Sequence, residues 1–238
     1  MRRFSFGDYL RGVKPNEIPS REESNRLLVS RIESRVKNLF SGEGTGHDWH
    51  HIDRVRRTAL SLAKVEGGDR MLIELAALLH DIADHKFYGG DTAIGPRRAA
   101  ETVIECGGDA ELAEAVSRIV SEISFRGAGE DTPVSSLEAA IVQDADRLDA
   151  LGPIGIARTF AYGGSKGRPI HDPDRTARLH DDFSEYANSA DPTIDHFHQK
   201  LLLLKDRMQT PTGRKRAEKL HAYMEDFLSA FHRQWDGE

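Results

Sequence analysis

The 238-residue chain has one cysteine, Cys106. A lone thiol excludes an internal disulfide framework and any cysteine-rich zinc or iron–sulfur site, and it fits a reducing compartment. Long apolar runs are also missing. The most hydrophobic stretch, 201–204, is four leucines between Lys200 and Lys205, far short of a membrane span. Positive charge is not in excess: the net charge is -6 and the pI near 6.0, against sequence-independent nucleic-acid binding. The N-terminal Arg2-Arg3 is followed by no apolar core, so it does not read as a signal peptide. These absences lead to the expectation of a cytoplasmic protein with no membrane partner. Histidine, in contrast, is plentiful. There are eleven, and His47, His50, His51, His80 and His85 fall within residues 47–85.

Apolar residues recur at helical spacing, and no segment alternates as a strand would. Ser20-Arg21-Glu22-Glu23 has capping-box spacing and opens a helix to about Phe40. Asp48 and Asp69 cap two further helices separated by Gly67-Gly68, the second running on to Ala83. Pro96 suits the first turn of a fourth helix and Asp109 caps a fifth. Ser135-Ser136-Leu137-Glu138 reads as a second capping box, opening a helix through Asp146 and Leu148. Gly152-Pro153 precedes a helix to about Tyr162, and Thr193 and Thr212 begin two long final helices. Residues 1–19 read as an arm, and 163–175 as a polar, mobile insertion. The expected fold is all-α: one helical-bundle domain over 20–238.

The chemistry concentrates at His80-Asp81, which ends an apolar helix. Two strongly polar groups there are costly unless partnered. Taken alone, such a pair reads as a satisfied core contact. His51 lies one helix earlier, however, and Asp144 and Asp146 follow Ile141-Val142 on a later one. Imidazoles mixed with carboxylates, without thiolates, suit a divalent cation such as Mn²⁺, Fe²⁺, Co²⁺ or Mg²⁺. His47 and His50 read as neighbours or entrance groups of such a site, and Trp49 as a buried aromatic.

The order His51 … His80-Asp81 … Asp146 resembles the H…HD…D signature of the HD-domain metal-dependent phosphohydrolases. Flanking strings resemble one small bacterial subgroup: Gly46-His47-Asp48-Trp49-His50-His51-Ile52-Asp53-Arg54-Val55, Asp144-Ala145-Asp146-Arg147-Leu148-Asp149-Ala150-Leu151-Gly152, and His196-Phe197-His198-Gln199-Lys200-Leu201-Leu202. The resemblance implies His51, His80, Asp81 and Asp146 as ligands of one divalent ion (Mn, Mg, Co, Ni or Fe). It prefers Asp146 to Asp144, because Arg147-Leu148 follows. It implies an HD-type helical bundle, and hydrolysis of nucleotides or small phosphorylated metabolites, first of all nucleoside triphosphates to monophosphate and pyrophosphate. A homodimer is compatible with it.

Asp84, at i+4 from His80, is the candidate proton-transfer group, the alternative being a carboxylate that orients His80. Arg54, Lys86, Lys166 and Arg168 are candidate phosphate contacts. Competing expectations are a 5′-nucleotidase, a nucleotide phosphodiesterase, a di-iron oxygenase, and a non-catalytic metal- or nucleotide-binding module.

Overall fold

The computed structural model describes residues 19–40, 48–83, 93–123, 132–176, 178 and 191–238. The proposed arm therefore lies, but for its last residue, outside the described residues. Among those described there is helix and no strand, and no helix is long and apolar enough to cross a membrane.

The helices start where short polar side chains can take up the free N–H groups of a first turn. Helix α1 (Arg21–Leu39) carries the full capping box: Glu23 N donates to Ser20 Oγ, and Ser20 N to the Glu23 carboxylate. Helix α2 (Trp49–Glu66) is capped by Asp48, which accepts from His51 N at 2.9 Å. It ends at Gly67, whose φ of 91° is the left-handed conformation a glycine adopts without strain. Helix α3 (Arg70–Leu79) follows at once, capped by Asp69. Its Ile73 and residues 75–79 are all buried. A helix apolar on nearly every side must be enclosed, and α1, α2, α5 (Ala110–Ile123) and α6 (Leu137–Asp149) surround it. Helix α4 (Ile94–Glu105) pairs with α5.

Helix α6 is the other enclosed element. From Ala139 to Asp149 only Asp146 is more than slightly accessible. Its buried polar side chains find specific partners, although Arg147 Nε has none among the described residues. Gln143 Nε2 donates to the Glu122 carbonyl at 2.7 Å. Arg147 donates to the Arg207 carbonyl and to Thr132 Oγ1. Helix α7 (Gly152–Ser165) follows a tight corner; a Cβ on Gly155 would stand 2.1 Å from the Ala150 carbonyl oxygen.

Besides the end of α3, which stops at Leu79 with turns over 80–83 and does not run on to Ala83, three expectations are corrected. The second capping box does not form. Ser136, one residue later than expected, caps α6 through Ala139 N, while Ser135 bonds Glu122 and Glu138 accepts from Asp69 N. Glu138 thus links the start of α3 to the start of α6. Secondly, the helix expected from Thr193 is short and broken: α8 (Asp195–Gln199), then a 3₁₀ helix (Leu201–Arg207). Leu201 and Leu204 are the buried pair there, and i,i+3 is the repeat a three-residue turn presents on one side. The last helix, α9 (Pro211–Trp235), starts earlier than Thr212, with Thr210 capping Gly213 N and Pro211 in the first turn. Thirdly, the segment 163–175 is partly helical and partly pinned. Helix α7 continues to Ser165, and the Pro169 and Ile170 carbonyls accept from Thr193 and Ile194 N–H at 2.8 and 3.0 Å.

Candidate metal centre

Three elements bring the site together. His51 sits in the first turn of α2, held by the Asp48 cap. His80 is the residue immediately after α3, and Asp81 follows it. Asp146 is on the one open position of α6 between Ala139 and Asp149.

The tautomers follow from the partners. His80 Nδ1 lies 2.9 Å from the Ala77 carbonyl oxygen, which can only accept, so Nδ1 carries hydrogen. His51 Nδ1 lies 2.8 Å from Asp149 Oδ2, a carboxylate that also takes Arg54 and Arg158, so this Nδ1 carries hydrogen too. Neutral imidazoles held this way leave both Nε2 lone pairs bare, and the two Nε2 atoms face each other at 3.3 Å. Asp81 Oδ2 is 3.4 Å from His51 Nε2 and 3.5 Å from His80 Nε2. Asp146 Oδ1 is 3.5 and 3.8 Å from the same two atoms.

The Nε2 lone pairs of His51 and His80 and the Asp81 carboxylate converge here on one point, within 4.8 Å of one another, with Asp146 Oδ1 set against the two imidazoles, and only a cation relieves them. In the bare chain a proton serves. Burial would lower the His51 pKa, yet the hydrogen bonds to Asp149 and Asp81 outweigh it and push it up to about 9. Two donors about 2.1 Å from a shared ion, at angles near 90–110°, stand roughly 3.0–3.4 Å apart. The spacings among His51, His80 and Asp81, 3.3, 3.4 and 3.5 Å, are close to that, and Asp146 stands slightly farther out. Two neutral imidazoles and two carboxylates carry two negative charges, the complement of a divalent ion. The histidine side chains are 2 % and 1 % exposed, against 25 % for Asp81 and 32 % for Asp146, so a ligand approaches from the carboxylate side.

Asp149 holds this arrangement from behind. It accepts from His51 Nδ1, from Arg54 Nε at 2.7 Å and Nη2 at 3.0 Å, and from Arg158 Nη1 at 2.9 Å. Burial alone would raise its pKa; the His51 and Arg54 hydrogen bonds reverse this and keep it below the usual carboxylate range. Neither Asp149 nor Arg158 was among the residues expected from sequence. Asp149 carries a signal, a further acid three residues after Asp146 on a buried helix. Arg158 carries none.

The remaining candidates fall in different places. Asp144, two residues and so about 200° around α6 from Asp146, faces α9. It is fully buried and accepts from Gln209 N, Thr210 N and Thr210 Oγ1 at 2.8, 2.8 and 2.7 Å. Arg54 is engaged by Asp149. Lys166 and Arg168 stand over the Tyr162 ring, each 5.6 Å from its centroid. Lys166 lies about 12 Å along the α7 axis from Arg158. His50 is exposed, and Trp49 is half-buried beneath Lys37. His47, Asp84, His85 and Lys86 lie outside the described residues. The helical repeat that sets Asp84 beside His80 stops at Leu79, and 81–83 form turns.

The HD domain family model matches residues 48–151, the span from the cap of α2 to the end of the α6 corner. The uncharacterized protein YpgQ of Bacillus subtilis is 36 % identical over 203 residues, covering 84 % of this chain and 90 % of its own. A crystal structure of an HD-superfamily hydrolase from Bacillus thuringiensis superposes with a TM-score of 0.70 at 39 % identity, over 90 % of this chain and all of the other. The crystal structure of B. subtilis YpgQ in complex with ADP superposes with a TM-score of 0.70 at 30 % identity, over 89 % of this chain and 96 % of that one. On this similarity, and with His51, His80 and Asp81 clustered by the fold, the chain belongs to the HD-domain superfamily of hydrolases.

Proposed function

We propose that the protein is a divalent-metal-dependent nucleotide phosphohydrolase. Its preferred reaction is hydrolysis of nucleoside triphosphates to the monophosphate and pyrophosphate. In this reading His51, His80, Asp81 and Asp146 hold one ion. The observation that carries it is the pair of imidazoles with both Nδ1 hydrogens engaged and both Nε2 atoms, 3.3 Å apart, turned toward two carboxylates. The oxygen and nitrogen donor set suits Mn²⁺, Co²⁺, Ni²⁺, Fe²⁺ or Mg²⁺. The ADP bound to YpgQ supports a nucleotide as the class of substrate.

When bound, the ion would supply Lewis acidity toward a phosphoryl oxygen and make its water more acidic. The chain's own residues do the rest. Asp149 keeps His51 in the Nδ1-H tautomer, and the Ala77 carbonyl does the same for His80. The two buried rings close one side of the site to water and leave the Asp81–Asp146 side for substrate. Arg54 and Arg158 hold Asp149 ionised, so Arg54 acts as a positioning residue. Asp84 is the proposed proton-transfer group, resting on its place three residues after Asp81. Lys86, Lys166 and Arg168 are the proposed phosphate contacts.

The test is a product screen of nucleoside triphosphates, diphosphates, monophosphates and cyclic nucleotides with Mn²⁺, Co²⁺, Ni²⁺ and Mg²⁺. Pyrophosphate should appear in equal amount with monophosphate, and Asp81→Ala should abolish it. Orthophosphate as the only phosphate product would favour a nucleotidase. Tight nucleotide binding without turnover would make the chain a binding module.

A further inference from the structure

Behind Asp149, on the side away from the two imidazoles, an open pocket of about 540 Å³ lies between α2, the α6–α7 corner and α9. Three guanidinium groups line it: Arg54 and Arg57 from α2 and Arg216 from α9. The lining has one carboxylate, Asp149, whose side chain is 5 % exposed and already takes hydrogen bonds from Arg54, Arg158 and His51. Arg216 bonds Ser61 Oγ at 2.8 Å, its one polar contact among the described residues. Arg57 engages Asp53 through Nε alone, donating to its carbonyl and pairing with Oδ2 at 3.1 Å, so among the described residues the Nη groups of Arg57 and those of Arg216 beyond Ser61 remain as donors for an anion.

The opposite wall is apolar. Leu151, Ile154 and Leu220 form it, and Ile154 is 45 % exposed. The corner is built closely: a Cβ on Gly152 would stand 2.6 Å from Leu220 Cδ2, and the φ of 65° there is one that glycine tolerates. A cationic edge facing an apolar wall matches a ligand with phosphates at one end and a flat, weakly polar body at the other. The buried side chains of His51 and Asp149 fill the space between this pocket and the Nε2 atoms, so a ligand here does not reach the metal centre.

We propose that this pocket is a second ligand site, taking the phosphates of a nucleoside polyphosphate on Arg57 and Arg216 and its nucleoside against Leu151, Ile154 and Leu220. Arg54 is shared by the pocket and by the Asp149–His51 pair, so occupancy is felt at His51. The inference does not depend on the proposed reaction, because binding is measured without metal.

The experiment is titration calorimetry of the full-length, metal-free chain in EDTA with ADP, AMP and pyrophosphate. ADP should bind one to one, more weakly as salt is raised. The double variant Arg57→Ala/Arg216→Ala should weaken ADP at least tenfold, and His80→Ala should leave it unchanged. Ser61→Glu, which keeps every arginine and adds a carboxylate inside the pocket, should also weaken it at least tenfold, with far-UV circular dichroism confirming that both variants fold. Pyrophosphate and AMP should each bind at least tenfold more weakly than ADP. Absence of metal-free ADP binding, or binding lost in His80→Ala, would overturn the proposal. So would binding indifferent to both pocket variants, or ADP, AMP and pyrophosphate of equal affinity.

Discussion

Replacing Asp149 by Asn keeps the shape of the side chain and removes the charge on which His51, Arg54 and Arg158 converge. The wild-type carboxylate accepts four hydrogen bonds on two oxygens. An amide has one acceptor oxygen, and its NH₂ meets donors. If the amide donates to His51 Nδ1, the imidazole hydrogen moves to Nε2 and the lone pair facing His80 is lost. Loss of such an orienting partner costs about 10–100-fold in metal affinity. The stability cost has a separate origin. Removing one partner of a fully buried ion pair costs about 3–5 kcal/mol. The Arg54 and Arg158 side chains are 27 % and 19 % exposed, and water compensates part of the loss, so about 2–4 kcal/mol is expected. At about 2–4 °C per kcal/mol for a chain of this length, the melting temperature should fall by roughly 5–15 °C. Calorimetric titration with Mn²⁺ and thermal melts in EDTA read the two effects apart. Wild-type metal affinity in a folded Asp149→Asn variant would refute the claim that Asp149 sets the His51 tautomer.

The two acids of α6 should separate cleanly. Asp146→Ala should lose the metal with little change in the EDTA melt, whereas Asp144→Ala should lower the melt and keep the metal; the reverse would exchange their assignments. Gly213→Ala would place a Cβ 2.2 Å from Asp144 Oδ2 and 2.8 Å from Thr210 Oγ1. Losing two or three of those buried hydrogen bonds, at about 1 kcal/mol each, should cost roughly 2–3 kcal/mol in denaturant unfolding. The His51 pKa of about 9 in the metal-free chain lies above its ordinary 6.5. Its stabilisation of that chain is therefore complete below pH 6.5 and fades as pH rises through 9. A metal ligand must be neutral, so ion binding at pH 7.5 should release about one proton, and affinity should rise about tenfold per pH unit toward pH 9. Calorimetry in buffers of different ionisation heat checks this. The depressed Asp149 acts in the opposite sense: its contribution is present above the ordinary carboxylate pKa and is lost as pH falls below it.

What the sequence disclosed was what local chemistry decides. The caps at Ser20, Asp48 and Asp69 and the stop at Gly67 are written in neighbouring residues, and α1 and α2 begin or end as they indicate. His80, Asp81, Asp144 and Asp146 stood out as polar groups on apolar helices, and the family resemblance, not local chemistry, added His51 and preferred Asp146 to Asp144. The segment from Thr193 was misread because four consecutive leucines fit a helix of either pitch; the burial of Leu201 and Leu204 by the rest of the fold chose the tighter one. Asp149 was missed because its partner His51 is 98 positions away: the local signal, an acid three residues after Asp146 on a buried helix, does not point to that partner. Arg54 looked like a phosphate contact for the same reason: its acid is on another helix.

The central claim is that His51, His80, Asp81 and Asp146 form one metal centre. Its most direct test is metal content by mass spectrometry after saturation with Mn²⁺ and gel filtration, for the wild-type chain and for His80→Ala and Asp81→Ala. A single ion per wild-type chain and none in either folded variant is the predicted result. Two ions in the wild type, or a full ion retained by both variants, would contradict it.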